Sequence, residues 1–143
     1  MGRNHPGFPP SLDFVEDQVN TQVLDQELDR IEALWSEGLA EAYSAYLNAV
    51  GDYEPDEQTK VALAAALVEI AIGLHGLGGR AAPPPTLLLG DLCLARASRL
   101  LAEGAPISVQ VAFARAIESI AAAAASRQES PSARAVLLQA LAK

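Results

Sequence analysis

Two histidines and eighteen acidic residues are the side chains in this sequence that could bind a metal or move a proton. His5 stands in a segment rich in proline and glycine, whereas His75 follows an apolar stretch. Carboxylates such as Glu37 and Glu41 are four residues apart, as on the solvent-facing side of a helix. No carboxylate pair has a histidine at the spacing of a metal-ligand set. We therefore expect His75 to cap a helix or pack in a core, with a role as ligand or base as the alternative.

A glycine-rich fragment at 73–79 is the other segment whose residue types could do chemistry. It reads GLHGLGG and has neither a lysine nor a Ser or Thr at the offset that a phosphate-binding loop requires. It therefore predicts a turn rather than a nucleotide site. Because no set of polar groups converges in the sequence, we predict no catalytic residue and no cofactor bound by this chain.

Charge is distributed unevenly along the 143 residues, whose formal net charge is −8. Residues 1–57 carry thirteen acidic and two basic residues, a net charge of −11, and residues 58–143 carry eight basic and five acidic ones, a net charge of +3. No cluster of Lys and Arg offsets the negative total, so nucleic acid is not an expected partner. The acidic excess in the first half predicts a solvated helix face.

The cysteine content and the apolar runs of the sequence indicate the cellular compartment of the protein. Cys93 is the only cysteine, so it can form no disulfide within the chain, and its apolar neighbours predict a small buried hydrophobic residue. The first eleven residues, MGRNHPGFPPS, do not resemble a signal peptide. The apolar run at 61–74 is shorter than the ~20 residues of a membrane span and contains Glu69, which favours a buried core helix. We expect a cytoplasmic protein without a membrane span.

Alanine and leucine make up much of the apolar half of the sequence, and no segment alternates apolar and polar residues with a period of two. The sequence therefore predicts an all-α fold, with a flexible lead-in over 1–10 and one helical domain over 11–143. Ser11 begins a long amphipathic arm that Gly38 kinks or breaks and that ends at Gly51. The later helices are predicted at 55–74, from a cap at Thr86 to Glu103, at 107–126, and from Ser130 and Pro131 to Leu141.

The stretch at 87–104 is the most specific feature of the sequence. It reads LLLGDLCLARASRLLAEG, with Gly90 and Asp91 followed by an apolar turn, then ARA and LLA. It resembles the helix of trans-type polyprenyl diphosphate synthases that reads GD, two or three apolar residues, (A/S)RA and LLA. The segment at 71–75, AIGLH, is similar to that family's Leu-Ile-His segment, which leads into its first aspartate-rich motif. The resemblance covers 64–125 and implies the front half of the isoprenoid synthase fold.

The same residues also fit an ordinary helix. In that interpretation Gly90 allows close packing of a neighbouring element, and Asp91 caps a helix or pairs with an arginine.

In the synthase family, the aspartates of the DDxxD motif bind the magnesium that holds the allylic diphosphate. The resemblance sets Gly76, Leu77 and Arg80 at the positions of these aspartates. Because magnesium needs several oxygen ligands, these degenerate positions are not expected to bind it. The family's Arg-rich segment is also missing, and no GGK-type motif occurs near 50–52. The chain thus resembles the small non-catalytic subunits of heterodimeric hexaprenyl and heptaprenyl diphosphate synthases.

The resemblance implies a partner, a catalytic polyprenyl diphosphate synthase subunit that carries the aspartate-rich motifs and the Mg²⁺. A subunit of this kind has no enzyme activity of its own and is needed for activity and product length. The helix at 86–103 and the helix after it are then expected at or near the subunit interface, with candidate residues Gly90, Asp91, Leu94, Arg96 and Leu101. The candidate positions along the tunnel for the growing chain are Ala71 and Ile72.

Two other classes of function fit the composition. One is an unrelated all-α interaction module that self-associates as a homo-oligomeric bundle and binds a protein through its acidic arm. The other is a helical bundle with an apolar cavity for an isoprenoid or a similar lipid, although the sequence offers no evident polar anchor for such a ligand.

Overall fold

The computed structural model describes residues 29–75, 83–126 and 132–142, and its regular secondary structure there is entirely helical. The all-α prediction is therefore confirmed. Residues 29–33 are helical and belong to a compact unit separate from the one that begins at Leu34.

The expected lead-in at 1–10 and most of the arm that starts at Ser11 lie outside the described residues. The single domain expected over 11–143 stays a prediction.

From Leu34 onward, the described residues form a 3-10 turn at Trp35–Glu37 and five α-helices. The helices are α1 Leu39–Leu47, α2 Pro55–His75, α3 Pro84–Gly104, α4 Ile107–Ala125 and α5 Ala133–Leu141. The helix α2 packs chiefly against α3, and also against α1 and α5. The helix α4 packs mainly on α5 and touches α3 less extensively. The core is therefore built around α2.

The helix α2 begins at Pro55, as predicted, with Asp56 and Glu57 in its first turn, where the helix dipole favours acidic groups. Its middle is buried on several sides because three helices cover it. The buried residues are Val61, Ala62, Ala64, Ala65, Ala66, Leu67, Val68 and Ala71. Small side chains at half or more of these positions let the neighbouring helices approach closely. The prediction of a buried core helix is confirmed.

By length and composition alone, α2 and α4 could each cross a membrane, with a mean hydropathy of 1.3 in the relevant window of either helix. Inside the protein 44 % of the α2 window is buried, but only 17 % of the α4 window. A core helix passes the same criterion, so this finding is weak evidence. The expected lack of a membrane span stays a prediction.

Gly38 separates the 3-10 turn from α1 with a φ of 132°, which L side chains rarely adopt. The predicted break at this glycine is confirmed. The end of the arm was predicted too late, because α1 stops at Leu47 and Asn48 takes the C-cap position. The chain after α1 is not merely a surface turn, since Val50 and Tyr53 are both buried.

Two predicted helix starts are wrong by a few residues. The helix α3 begins at Pro84 with Pro83 as its N-cap, so Thr86 lies within the first turn and does not cap the helix. Proline suits this position because the first helical N–H groups have no intrahelical partner. The helix α5 begins at Ala133, where Ser132 Oγ accepts a hydrogen bond of 3.1 Å from the backbone N–H of Ala135. The predicted start residues of α5, Ser130 and Pro131, lie outside the described residues.

The last helix is attached to the body of the protein at its C-terminal end. Leu137 and Leu141 are buried, and the hydroxyl of Tyr53 donates a hydrogen bond of 3.0 Å to the carbonyl oxygen of Leu141. This bond joins the end of α5 to the turn that precedes α2.

Candidate functional site

The two segments that carry the family resemblance meet where the end of α2 packs against the start of α3. His75 Nε2 lies 3.0 Å from Asp91 Oδ1, and the two side chains are 20 % and 67 % exposed. An ideal Cβ atom on Gly90 would lie 2.5 Å from His75 Cδ2 and 2.6 Å from His75 Nε2. The imidazole therefore fills the space that any larger residue at Gly90 would occupy.

In the interpretation of 87–104 as an ordinary helix, Gly90 allows close packing, and Asp91 caps a helix or pairs with an arginine. The contact with His75 bears on both expectations. Close packing at Gly90 is confirmed, and among the described residues the ion-pair partner of Asp91 is His75 rather than an arginine. His75 is also the last residue of α2, where a protonated imidazole interacts favourably with the helix dipole.

Among the described residues, the His75–Asp91 pair does not extend into a larger ligand set. Within the part of the chain that the structure describes, no group of three His, Cys, Asp or Glu side chains could hold a metal ion. The degenerate motif positions Gly76, Leu77 and Arg80 lie outside the described residues.

The candidate interface residues of α3 do not share one face of the helix. Gly90 and Leu101 are buried, Leu94 and Arg96 are half-buried, and Asp91 is exposed. Leu87 and Leu88 were not among the predicted interface residues. Both are large and apolar, and they are 36 % and 49 % exposed. The run of three leucines at 87–89, beside the start of the helix, was the sequence signal for them.

Cys93 lies with Gly90 and Leu101 among the buried residues of α3. Burial raises the pKa of its thiol to about 11, so the thiolate is scarce near neutral pH. The prediction of a small buried hydrophobic residue is confirmed.

The two candidate tunnel residues have different surroundings. Ala71 is fully buried, and its carbonyl oxygen lies 3.4 Å from the ideal Cβ position on Gly90, so it faces α3. Ile72 lines an open groove of about 480 Å³ whose other apolar walls include Leu34, Ile70 and Leu74. Only Ile72 borders a space that could admit a chain.

A polar cluster that sequence reasoning missed ties three helices together. Arg134 on α5 donates to both oxygens of Glu69 on α2, with Nε to Oε1 and Nη2 to Oε2 each 2.9 Å. It also donates to both oxygens of Glu41 on α1, at 2.8 and 2.6 Å. The hydroxyl of Tyr46 donates to Glu69 Oε1 at 2.8 Å. We call Glu41, Tyr46, Glu69 and Arg134 the Glu69 cluster.

Contacts within the Glu69 cluster shift the pKa of three of its members. The hydrogen bonds with Arg134 lower the pKa of Glu41, and those with Glu41 and then Glu69 raise the pKa of Arg134. Burial, followed by the hydrogen bond to Glu69, raises the pKa of Tyr46. The guanidinium also lies over the Tyr46 ring, with Cζ 5.9 Å from the ring centroid. The pKa values of Glu41, Tyr46 and Arg134 are all shifted further from neutral pH, so the arrangement suits a structural tie.

The sequence did contain half of the signal for this cluster. Glu69 is the one acidic residue in an otherwise apolar run, and a partly buried carboxylate needs a partner. Nothing in the local pattern pointed to Arg134, which is 65 positions away.

Comparison of the chain with protein-family models, with curated proteins and with solved structures found no match.

Proposed function

We propose that this chain is a non-catalytic subunit of a heteromeric polyprenyl diphosphate synthase. In this role it pairs with a catalytic subunit that carries DDxxD motifs and Mg²⁺, and it influences the activity and the product length of that subunit. One observation carries the proposal. The two segments on which the resemblance rests, 71–75 and 87–104, are neighbours in space, with His75 seated against Gly90 and beside Asp91.

The arrangement of α2 and α3 supports this role. Because Gly90 leaves space for the imidazole of His75, α2 and α3 pack closely, and α2 holds α3 in place. The outer side of α3 then presents Asp91 and two large apolar residues, Leu87 and Leu88, to a partner. Contiguous exposed apolar patches are typical of interaction surfaces, and Leu87 and Leu88 are neighbours in the sequence.

The groove beside Ile72 supports a contribution to product length. Most of its lining residues are apolar, as an isoprenoid chain requires, and of its two carboxylates, Glu37 and Glu69, the second is paired with Arg134. The bulk of the side chain at Ile72 would then limit how far a product extends along this surface.

The direct test is reconstitution of activity. The purified chain is mixed with a full-length prenyl diphosphate synthase subunit from the same genome, with Mg²⁺, isopentenyl diphosphate and an allylic diphosphate, and products are separated by length. We expect no product from this chain alone and a change in rate or product length when the chains are mixed. Turnover by this chain alone, or no effect on any synthase subunit of that genome, would contradict the proposal.

A matched pair of variants locates the contact. Leu88→Asp places a charge on the exposed side of α3, and Ala49→Asp places the same charge at an exposed position after α1. We expect Leu88→Asp to weaken binding and stimulation of the partner at least tenfold, since a buried unpaired charge opposes association. Ala49→Asp should bind as the unchanged chain does. Equal behaviour of the two variants would remove α3 from the interface.

A homo-oligomeric interaction module is the second candidate function. It is favoured by α4, where Ile107 and Val111 are 72 % and 43 % exposed although both are large and apolar. This function predicts self-association without any effect on prenyl transfer, so the reconstitution assay separates the two candidates.

A further inference from the structure

The outer face of α4 is an apolar stripe that no other described element covers. Its exposed residues recur at intervals of three and four, as on one side of a helix. They are Ile107, Ser108, Val111, Ala114, Arg115, Glu118, Ser119, Ala122 and Ala125. The buried residues Val109, Phe113 and Ala116 lie on the opposite side, toward the rest of the chain. We call the exposed set the α4 face.

The α4 face carries only two charges, and they lie beside the centre of the helix. Arg115 and Glu118 flank the midpoint of Ile107–Ala125, which falls at Ala116. Neither side chain has an ion-pair or hydrogen-bond partner within residues 29–75, 83–126 and 132–142. One positive and one negative charge, placed almost symmetrically about the midpoint, can satisfy each other when two such helices run antiparallel.

The apolar residues of the α4 face are also arranged by size. The large residues Ile107 and Val111 occupy its first half, and the small residues Ala122 and Ala125 occupy its second half. In an antiparallel pair, the first half of one helix packs on the second half of the other. Large side chains then meet small ones twice, which favours close packing without voids.

We infer that the α4 face binds the α4 face of a second copy of this chain, antiparallel and about a two-fold axis beside Ala116. In this arrangement Arg115 of each copy lies level with Glu118 of the other, so two identical ion pairs form. An isologous contact of this kind requires a surface complementary to itself, and the α4 face meets that requirement in both charge and size.

The charges favour a protein partner over a lipid one. If α4 crossed a bilayer, Arg115 and Glu118 would lie near its middle, where charged side chains are strongly unfavourable. The length of α4 also sets the strength of the dimer. Nineteen residues span about 28 Å, and one helix pair buries less than the ~800 Å² per partner of a standard interface. We therefore expect a weak dimer, with a dissociation constant of about 10–100 µM.

Charge exchange tests the register of the pair. Arg115→Glu alone sets two glutamates against each other across the two-fold axis, and Glu118→Arg alone sets two arginines against each other. A mixture of the two variants restores both ion pairs in a heterodimer, as does the double variant in a homodimer. Sedimentation of the full chain over about 1–500 µM, a range that brackets the expected dissociation constant, measures each case.

The unchanged chain should shift with concentration from its 15.0 kDa monomer toward twice that mass. Each single variant should dimerise at least tenfold more weakly, and the mixture and the double variant should recover dimerisation to within about threefold. Arg99→Glu, the same charge change at an exposed position of α3, should leave the dimer unchanged.

A monomer at every concentration, or a mixture that fails to recover, would overturn the inference. These size measurements do not involve prenyl diphosphates. They are therefore independent of whether the chain stimulates a synthase partner.

Discussion

The helices α2 and α4 are similar in length and composition but differ in their surroundings. Each is rich in alanine, and each reaches a mean hydropathy of 1.3 over its most apolar window. The window of α2 is nevertheless more than twice as buried as that of α4, at 44 % against 17 %. Composition therefore does not decide which of them forms the core.

The charged residues of the two helices explain much of the difference. The single acidic residue in the apolar part of α2, Glu69, is held by Arg134 and Tyr46 from two other helices. The two charged residues of α4, Arg115 and Glu118, have no such partner among the described residues. A charge that is satisfied within the chain permits burial of its helix, and a charge that is not leaves its helix face open to another molecule.

The largest expected effect comes from placing the same charge in both helices. Ala65→Asp introduces a carboxylate at a fully buried position of α2 and should lower the free energy of unfolding by about 3–5 kcal/mol. Ala114→Asp is exposed on α4 and should lower it by only about 0.5–1 kcal/mol, through reduced helix propensity. Urea unfolding at low micromolar concentration measures both. Similar losses in the two variants would show that α2 is not the core helix.

A smaller effect is expected when the partner of Glu69 is removed. Arg134→Met keeps the aliphatic stem but leaves the part-buried Glu69 and Tyr46 without the guanidinium, and it should lower the free energy of unfolding by about 1–2 kcal/mol. The control is Arg99→Met, which removes an exposed i,i+4 pair with Glu103 and should change stability by less than about 0.5 kcal/mol. An equal response of the two arginines would mean that the Glu69 cluster does not tie the helices together.

Acid should reduce the difference between the unchanged chain and Arg134→Met. The pKa of Glu41 is lowered in the folded state by Arg134. Its contribution to stability is therefore complete above the ordinary pKa of 4.5 and is lost as the pH falls through the lower folded-state pKa. Urea unfolding from pH 7 downward should show the two stability curves converging only below about pH 4.5. Curves that stay parallel into acid would argue against the ion pair.

The smallest effect concerns the close contact that helps to keep α2 buried. Gly73→Ala on α2 meets no atom within 4 Å and should stabilise the protein by about 0.5–1 kcal/mol through helix propensity. Gly90→Ala gains the same propensity but displaces the His75 ring, so its net effect should be near zero. Proton NMR of the His75 imidazole should show loss of the contact with Asp91 in Gly90→Ala only. If Gly90→Ala stabilises the protein as much as Gly73→Ala does, the contact is not tight.

The helices were largely predictable because their signals are local. Pro55, followed by acidic residues, marked the start of α2. Gly38 marked a break because glycine readily adopts positive φ values, and its φ in the structure is 132°. The caps were less predictable, because Thr86 and Ser132 are both capable residues and only one of them accepts a backbone hydrogen bond.

The sites were less predictable because they depend on residues far apart in the sequence. Gly90 was expected to allow close packing, but its neighbour His75 lies one helix earlier. Glu69 showed that a partner was needed without indicating Arg134. The roles proposed for Leu88 and Ile72 involve a second chain or a product, and no pattern within one sequence encodes such a contact.

The attachment of α5 at both of its ends has a consequence for folding. Arg134 bonds to Glu41 across 93 positions, and Tyr53 bonds to Leu141 across 88. Either bond requires closure of a long loop, whose entropic cost rises only with the logarithm of its length. Contacts of such high sequence separation slow the search for the native topology far more than they reduce its final stability. The same two bonds that fasten the last helix thus raise the contact order of an otherwise local, fast-forming set of helices.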